Sequence, residues 1–253
     1  MCGVSPRLMR IESTANHRVK GVRRLHRGRE RRAAGRTILE GPKLLEAAVD
    51  AGVVPVEVYT SERTAAVERA AVAGAAVSDV SPAVLAALST TVEPQDPVAV
   101  VAIPAFAPPN AERTIVLVDV GDPGNMGTLI RSAVALGWRT AVMGGTDPWG
   151  PKVLRAAAGA HFAAPLINVE SLDAIRDAGL STVATIVQGG VRPEEVGAGA
   201  AVALLIGSEA HGLPAEIVDG SDWKVTIPMP GPAESLNVSI AGAIAMYALG
   251  RRE

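Results

Sequence analysis

Cysteine is almost absent from this chain of 253 residues, where Cys2 is the only one. A disulfide framework within the chain is thereby excluded, as is a zinc site built on cysteine. Histidine offers no substitute, because His17, His26, His161 and His211 are scattered without metal-ligand spacing. Aromatic residues are few, three Trp, two Tyr and two Phe, which argues against a platform that stacks successive bases of a single strand. No apolar run reaches the roughly 18 residues that a membrane helix needs. Met1–Arg10 carries charge but no apolar stretch of the signal-peptide kind. These absences predict a cytoplasmic protein with neither membrane nor metal partner.

What is present is apolar mass and a lopsided charge. Apolar residues make up 48% of the chain, enough for a substantial core. The net charge of −2 conceals twelve Lys/Arg against three Asp/Glu in residues 1–43, a balance of +9, and a balance of −11 in the remainder. A basic arm on an acidic body predicts a polyanionic partner met by one end of the molecule. Arg18, Lys20, Arg23, Arg24, Arg27, Arg29, Arg31, Arg32 and Arg36 are its candidate contacts, with Glu30 the one acid among them.

The pattern along the chain alternates strands and helices twice. Residues 16–32 read as one helix, or a helix with a frayed end, with Ser13 and Thr14 as candidate caps. Strand-like runs at 37–41, 54–60, 75–80 and 96–104 then alternate with helix-like runs at 42–52, 61–74 and 81–90. Residues 104–114 hold Pro104, Pro108 and Pro109 and form the best linker. A second alternation follows, with the apolar strands 114–120 and 201–207 and a closing helix over 235–252. The expected class is α/β, with a smaller domain over 1–103, a linker over 104–113 and a larger domain over 114–253.

Three segments carry chemistry. In DVGDPGNMGTLIRSA (119–133) a strand runs through a Gly/Pro/Asn turn into a helix expected over 125–137, whose first amides can bind an anion. Arg131 follows Asn125 by six residues, about 600° or 240° around the helix, so the two need not share a face. In LLIGSEAHGLP (204–214) an apolar strand stops at Gly207, and Ser208, Glu209 and Gly212 follow at the strand end favoured by ligands in α/β folds. In IPMPGPAESLNVSIAGAIA (227–245) a loop enters the closing helix, with Ser235 as expected N-cap and Asn237 at the second helical position. Neither a P-loop nor the GxGxxG of a dinucleotide fold occurs in the chain.

Taken in order, the NxGxxxR, GSExxG and IPMxxxxESLNVS elements resemble the three motifs of the SpoU (TrmH-like) RNA ribose methyltransferases of the SPOUT class. STANHRVK and LEGPKLLEAA resemble the substrate-binding domain of the ribosomal-RNA members. The resemblance implies a trefoil-knotted domain with a mostly parallel sheet, preceded by an α/β RNA-binding domain. It implies S-adenosylmethionine as cofactor, a homodimer, and 2′-O-ribose methylation of RNA, 23S ribosomal RNA foremost, of housekeeping or antibiotic-resistance type. A transfer-RNA target and a non-catalytic RNA-binding protein are the alternatives. Carried over by motif, the catalytic set is Arg131, Asn125, Glu209, Ser235 and Asn237. The cofactor contacts are Thr185, Gly207, Ser208, Ile227, Met229, Ser235 and Leu236. RNA contacts are Arg18, Lys20, Arg23, Arg24, Arg27 and Arg155, and no metal is implied. A guanidinium is a weak base, so Arg131 is assigned to orienting the hydroxyl and stabilising the alkoxide as it forms.

Overall fold

The computed structural model describes residues 10–197, 199 and 201–250. Cys2, the first nine residues of the basic arm and the end of the closing helix at 251–252 lie outside the described residues. The chain forms two compact units, Met1–Ile103 with Trp149–Arg155, and Pro104–Pro148 with Ala156–Glu253.

The first unit runs α1 (His17–Arg24), α2 (Gly28–Ala34), β1 (Arg36–Glu40), α3 (Pro42–Asp50), β2 (Glu57–Thr60), α4 (Ala65–Val72), β3 (Ala76–Asp79), α5 (Pro82–Leu88) and β4 (Val98–Ala102). Its sheet has the order β1-β4-β2-β3, with β4 antiparallel to both neighbours and β2 parallel to β3. Val19, Val22 and Leu25 bury one edge of α1 against Ile38, Tyr59, Val84 and Leu88.

The single helix expected over 16–32 is two. Leu25 turns into the core, and Arg27 is extended at φ −94°. The buried Arg31 donates from Nη1 to the carbonyls of Leu25 (2.8 Å) and His26 (3.0 Å), closing the carboxyl end of α1. Asn16 is the cap in place of Ser13 or Thr14, its Oδ1 accepting from Arg18 N at 2.9 Å. Sequence periodicity carries no sign of this break, since it depends on which cation closes the helix.

The second unit runs β5 (Thr114–Val118), α6 (Pro123–Ala135), β6 (Arg139–Met143), then after α7 (Pro151–Ala156) β7 (Ile167–Asn168), α8 (Leu172–Asp177), β8 (Ser181–Thr185), β9 (Val202–Ile206), α9 (Ala215–Gly220), β10 (Trp223–Val225) and α10 (Val238–Gly250). Its six strands lie in the order β10-β8-β9-β5-β6-β7, and every pair is parallel. All residues of β5 and β9 are buried, the near-continuous apolar reading of strands covered on both faces. The chain leaves β5 for β6 on one side and returns to β9 on the other. The carboxyl ends of β5 and β9 therefore flank a topological switch point, the ordinary place for a ligand in such sheets.

The stretch Trp149–Arg155 was expected in the larger domain and folds with the first unit instead. Thr37 Oγ1 donates to the Trp149 carbonyl at 2.6 Å. Arg155 Nη1 reaches Glu40 Oε1 at 3.1 Å and Thr90 Oγ1 at 2.8 Å. The Glu40 side chain is fully buried and also takes Ser89 Oγ at 2.5 Å and Thr90 N at 3.0 Å. Burial opposes its charge, but the bonds from Ser89 and Thr90 and the nearby Arg155 hold its pKa below the usual carboxylate value.

Helix α10 lies across α6 because Gly242 has no side chain. A Cβ there would stand 2.4 Å from Leu129 Cδ2. No described helix is long and apolar enough to cross a membrane.

Candidate active site

Three loops meet at the carboxyl ends of β5, β9 and β10, and hydrogen bonds join them. The first begins with Asp122, whose side chain caps α6 by accepting from Asn125 N at 2.8 Å, with Pro123 at the first helical position. The helix thus starts two residues before the expected Asn125, and Asp-Pro was the signal for it. Amides of this turn were expected to bind an anion or a carboxylate. The protein supplies that anion itself: Glu209 accepts from Gly121 N at 3.2 Å, Asp122 N at 3.2 Å and Asn125 Nδ2 at 2.9 Å. Partial burial works against the Glu209 charge, and these bonds outweigh it, so its pKa lies below the usual value.

The second loop, Ser208–Gly212, is a tight turn. Ser208 N donates to the Gly212 carbonyl at 3.0 Å and Gly212 N returns a bond to Ser208 at 2.9 Å. Gly212 takes φ +68°, open to glycine at little cost. Gly207 is needed for room: a Cβ on it would stand 2.1 Å from the Gly212 carbonyl carbon.

The third loop corrects an expectation. Ser235 does not cap the last helix; it lies exposed in the loop, and α10 starts at Val238. Asn237 is the cap, its Oδ1 accepting from Ser239 N at 2.9 Å and Ile240 N at 3.3 Å. Its Nδ2 donates to Asn125 Oδ1 at 3.0 Å. One chain of bonds, Glu209–Asn125–Asn237, therefore joins all three motifs.

Beside this chain lies a cleft of about 600 Å³. Thr185, Gly207, Ser208, Ile227, Met229, Ser235 and Leu236, carried over separately from the sequence, all line it. Ile186, Val187 and Val238 add apolar wall. Thr185 Oγ1 donates to the Leu205 carbonyl at 2.9 Å, which ties the end of β8 to β9. The size falls within the roughly 300–1,000 Å³ of small-molecule sites. Apolar side chains, close backbone at Gly207 and Gly212, and hydroxyls at the rim suit a ligand with a flat ring, a sugar and a polar tail. S-adenosylmethionine fits that description.

Not every expected residue gathers there. Arg131 is exposed on α6, on the helical stripe of Gly124, Thr128 and Ala135, and has no hydrogen-bond or ion-pair partner among the described residues. Arg155 is occupied by Glu40 and Thr90, which leaves its assignment to RNA without support. The basic arm also divides. Arg18 binds Glu57 (3.0 Å) and lies 5.4 Å from the centroid of the Tyr59 ring, and Arg24 pairs with Glu30 at 3.1 Å. Tyr59 OH donates to Glu57 at 2.7 Å, and burial together with that carboxylate raises its pKa. Lys20, Arg23, Arg27, Arg29, Arg32 and Arg36 are exposed, with no such partner among the described residues.

Comparison with known proteins agrees with this architecture. The model of a family described as the SpoU rRNA Methylase family matches residues 112–247. That of an MRM3-like substrate binding domain matches residues 16–99. The chain is 32% identical over 247 residues to the 23S rRNA (guanosine(2553)-2′-O)-methyltransferase RlmP of Bacillus subtilis, covering 96% of this chain and 99% of that one. Among solved structures, an AdoMet-bound rRNA methyltransferase from Sinorhizobium meliloti superposes with a TM-score of 0.86 at 29% identity, over 96% and 97% of the two chains. The SpoU methyltransferase AviRb from Streptomyces viridochromogenes, in complex with AdoMet, gives 0.82 at 27% identity, over 93% and 98%.

Proposed function

The chain belongs to the SpoU rRNA methylase family, and on that premise we propose that it methylates a ribose 2′-hydroxyl of 23S ribosomal RNA with S-adenosylmethionine as cofactor. The observation that carries this reading is the cleft at the strand ends, bounded by the Glu209–Asn125–Asn237 chain. The cofactor supplies a methyl group activated by a positive sulfur. Thr185, Ser208, Ser235, Ile227, Met229 and Leu236 would hold it, the first three offering polar groups and the last three apolar contact. We assign the trefoil crossing of the family to the loops that bound this cleft.

The protein's own part is to hold the acceptor and meet its charge. A ribose hydroxyl is a poor nucleophile until negative charge on its oxygen is stabilised. Arg131 carries a guanidinium that has no hydrogen-bond or ion-pair partner among the described residues. Its role is to meet the negative charge that builds on the oxygen, whose proton passes to solvent. Asn125, Glu209 and Asn237 are bonded to one another and to backbone amides. Their role is to keep the three loops in register.

A second copy of the chain belongs in the assembly. Ile240, Ile244 and Tyr247 are 50%, 41% and 55% exposed and lie at spacings of four and three on α10, so they form one apolar face that continues from Leu236 at the cleft. Sedimentation at micromolar concentration is expected to return a dimer, and a monomer contradicts this face as an interface.

Ribosomal RNA is favoured over transfer RNA because the first unit carries the exposed cations and matches a substrate-binding family. Replacing Lys20, Arg23 and Arg27 together by Gln removes three candidate phosphate contacts. The slope of log affinity against log salt is expected to fall by about 2 to 3. Arg18→Gln, which takes the cation from beside Glu57 and leaves it only the Tyr59 hydroxyl, lowers thermal stability and leaves that slope in place. Equal slopes for the triple variant and the parent protein contradict the basic face. The function itself is tested by labelled methyl transfer to purified ribosomal and transfer RNA. Label confined to the large-subunit RNA supports the reading, and label confined to transfer RNA moves the target.

A further inference from the structure

Methyl transfer needs two ligands to meet, and the Ser208–Gly212 turn borders two hollows. One is the cleft described above. The other, of about 430 Å³, is lined by Asp119, Gly121 and the same turn as it continues to Pro214. Glu209 borders both hollows, yet its carboxylate is spent on Gly121, Asp122 and Asn125. Asp119 is different. It is exposed, and its side chain has no hydrogen-bond or ion-pair partner among the described residues.

The placement of Asp119 is built. It holds φ +50°, one of two described non-glycine residues at positive φ, at the end of the central strand β5. Asp is among the few residues that tolerate this conformation, which clusters at functional sites. Its backbone N donates to Met143 O at 2.9 Å. Two glycines at positive φ, Gly144 and Gly145, make room for it. A Cβ on Gly144 would stand 2.1 Å from Asp119 Oδ1, and one on Gly145 would stand 2.6 Å from the Val120 carbonyl oxygen. The carboxylate thus lies close against Gly144 and has no donor among the described residues.

We propose that this second hollow receives the target nucleoside of the RNA, unstacked from its neighbours, and that Asp119 accepts a hydrogen bond from an N–H on the edge of its base. The inference rests on the methyltransferase reading above. A phosphate is disfavoured, because two carboxylates, Asp119 and Glu209, line the hollow. A base edge is suited, because an ionised carboxylate accepts hydrogen bonds only, and sequence-specific RNA recognition reads splayed bases on such edges. Asp119 is a specificity-determining residue in this scheme, with no part in moving the methyl group.

The test is a cycle of two changes. The modified nucleotide is first mapped in ribosomal RNA, and a fragment carrying it is made with the target base intact or absent, the ribose being kept in both. Transfer to each is measured with the full protein and with Asp119→Asn. Asn is close in shape and tolerates left-handed backbone, so the fold is retained. On the intact fragment, D119N keeps an acceptor oxygen but loses the charge, and it is expected to lower kcat/KM by about 5- to 10-fold, as for a charge-assisted hydrogen bond that becomes a neutral one. On the fragment without the base it is expected to cost less than about twofold, since the contact is already gone. Affinity for S-adenosylmethionine, measured by calorimetry, stays at the parent value. An equal loss on both fragments, or no loss on either, overturns the assignment of Asp119. Either result leaves the methyltransferase reading standing, because the parent protein still transfers the methyl group.

Discussion

Arg131→Ala is expected to lower methyl transfer by about 100- to 1,000-fold, the usual loss when one donor facing a developing oxyanion is removed. Affinity for S-adenosylmethionine is expected to stay within about threefold of the parent, and thermal stability within about 0.5 kcal/mol, as for an exposed residue without partners. The division follows from where Arg131 sits. It is exposed on α6 and is not among the residues that line the cleft, and nothing among the described residues needs its charge. Measuring turnover, calorimetric affinity and melting on one preparation separates the three. Turnover within about threefold of the parent would remove Arg131 from the reaction.

Gly207→Ala is expected to act on the other half of the site. The new Cβ would meet the Gly212 carbonyl carbon at 2.1 Å, its oxygen at 2.2 Å and Leu213 N at 2.3 Å. All three are backbone atoms, so no side-chain rotation relieves the clash. The Ser208–Gly212 turn has to open, which pulls Glu209 from Gly121 and Asp122 and breaks the chain to Asn125 and Asn237. Cofactor affinity is expected to fall by about 100-fold or more, equivalent to about 3 kcal/mol of strain and lost contacts. Methyl transfer falls with it. Parent affinity in this variant would show that the turn is free to move without harm to the cleft.

Much of this architecture is legible in the sequence because it rests on local rules. The buried strands β5 and β9 are visible as unbroken apolar runs, and the cleft residues fall beside strand ends marked by Gly and Pro. The family resemblance rests on the same segments and holds. What is not legible depends on partners far along the chain. Ser235 and Asn237 are both good caps, and only the path of the loop decides for Asn237. Arg18 and Arg155 look like free cations in a charge pattern, since nothing local reveals Glu57 or Glu40 as their partners. Helix α9 was not expected at all, because none of its residues is buried and no apolar period marks it. The Glu209–Asn125–Asn237 chain joins residues more than eighty positions apart, beyond what spacing alone conveys.

The central claim is that the cleft and the three joined motifs serve transfer of a methyl group to a ribose hydroxyl. It is tested most directly by labelled S-adenosylmethionine and two RNA fragments that differ only at the mapped target, one with the 2′-hydroxyl and one 2′-deoxy. The account predicts label in the first fragment and none above background in the second. Equal labelling of both would place the methyl group elsewhere on the nucleotide and contradict the account.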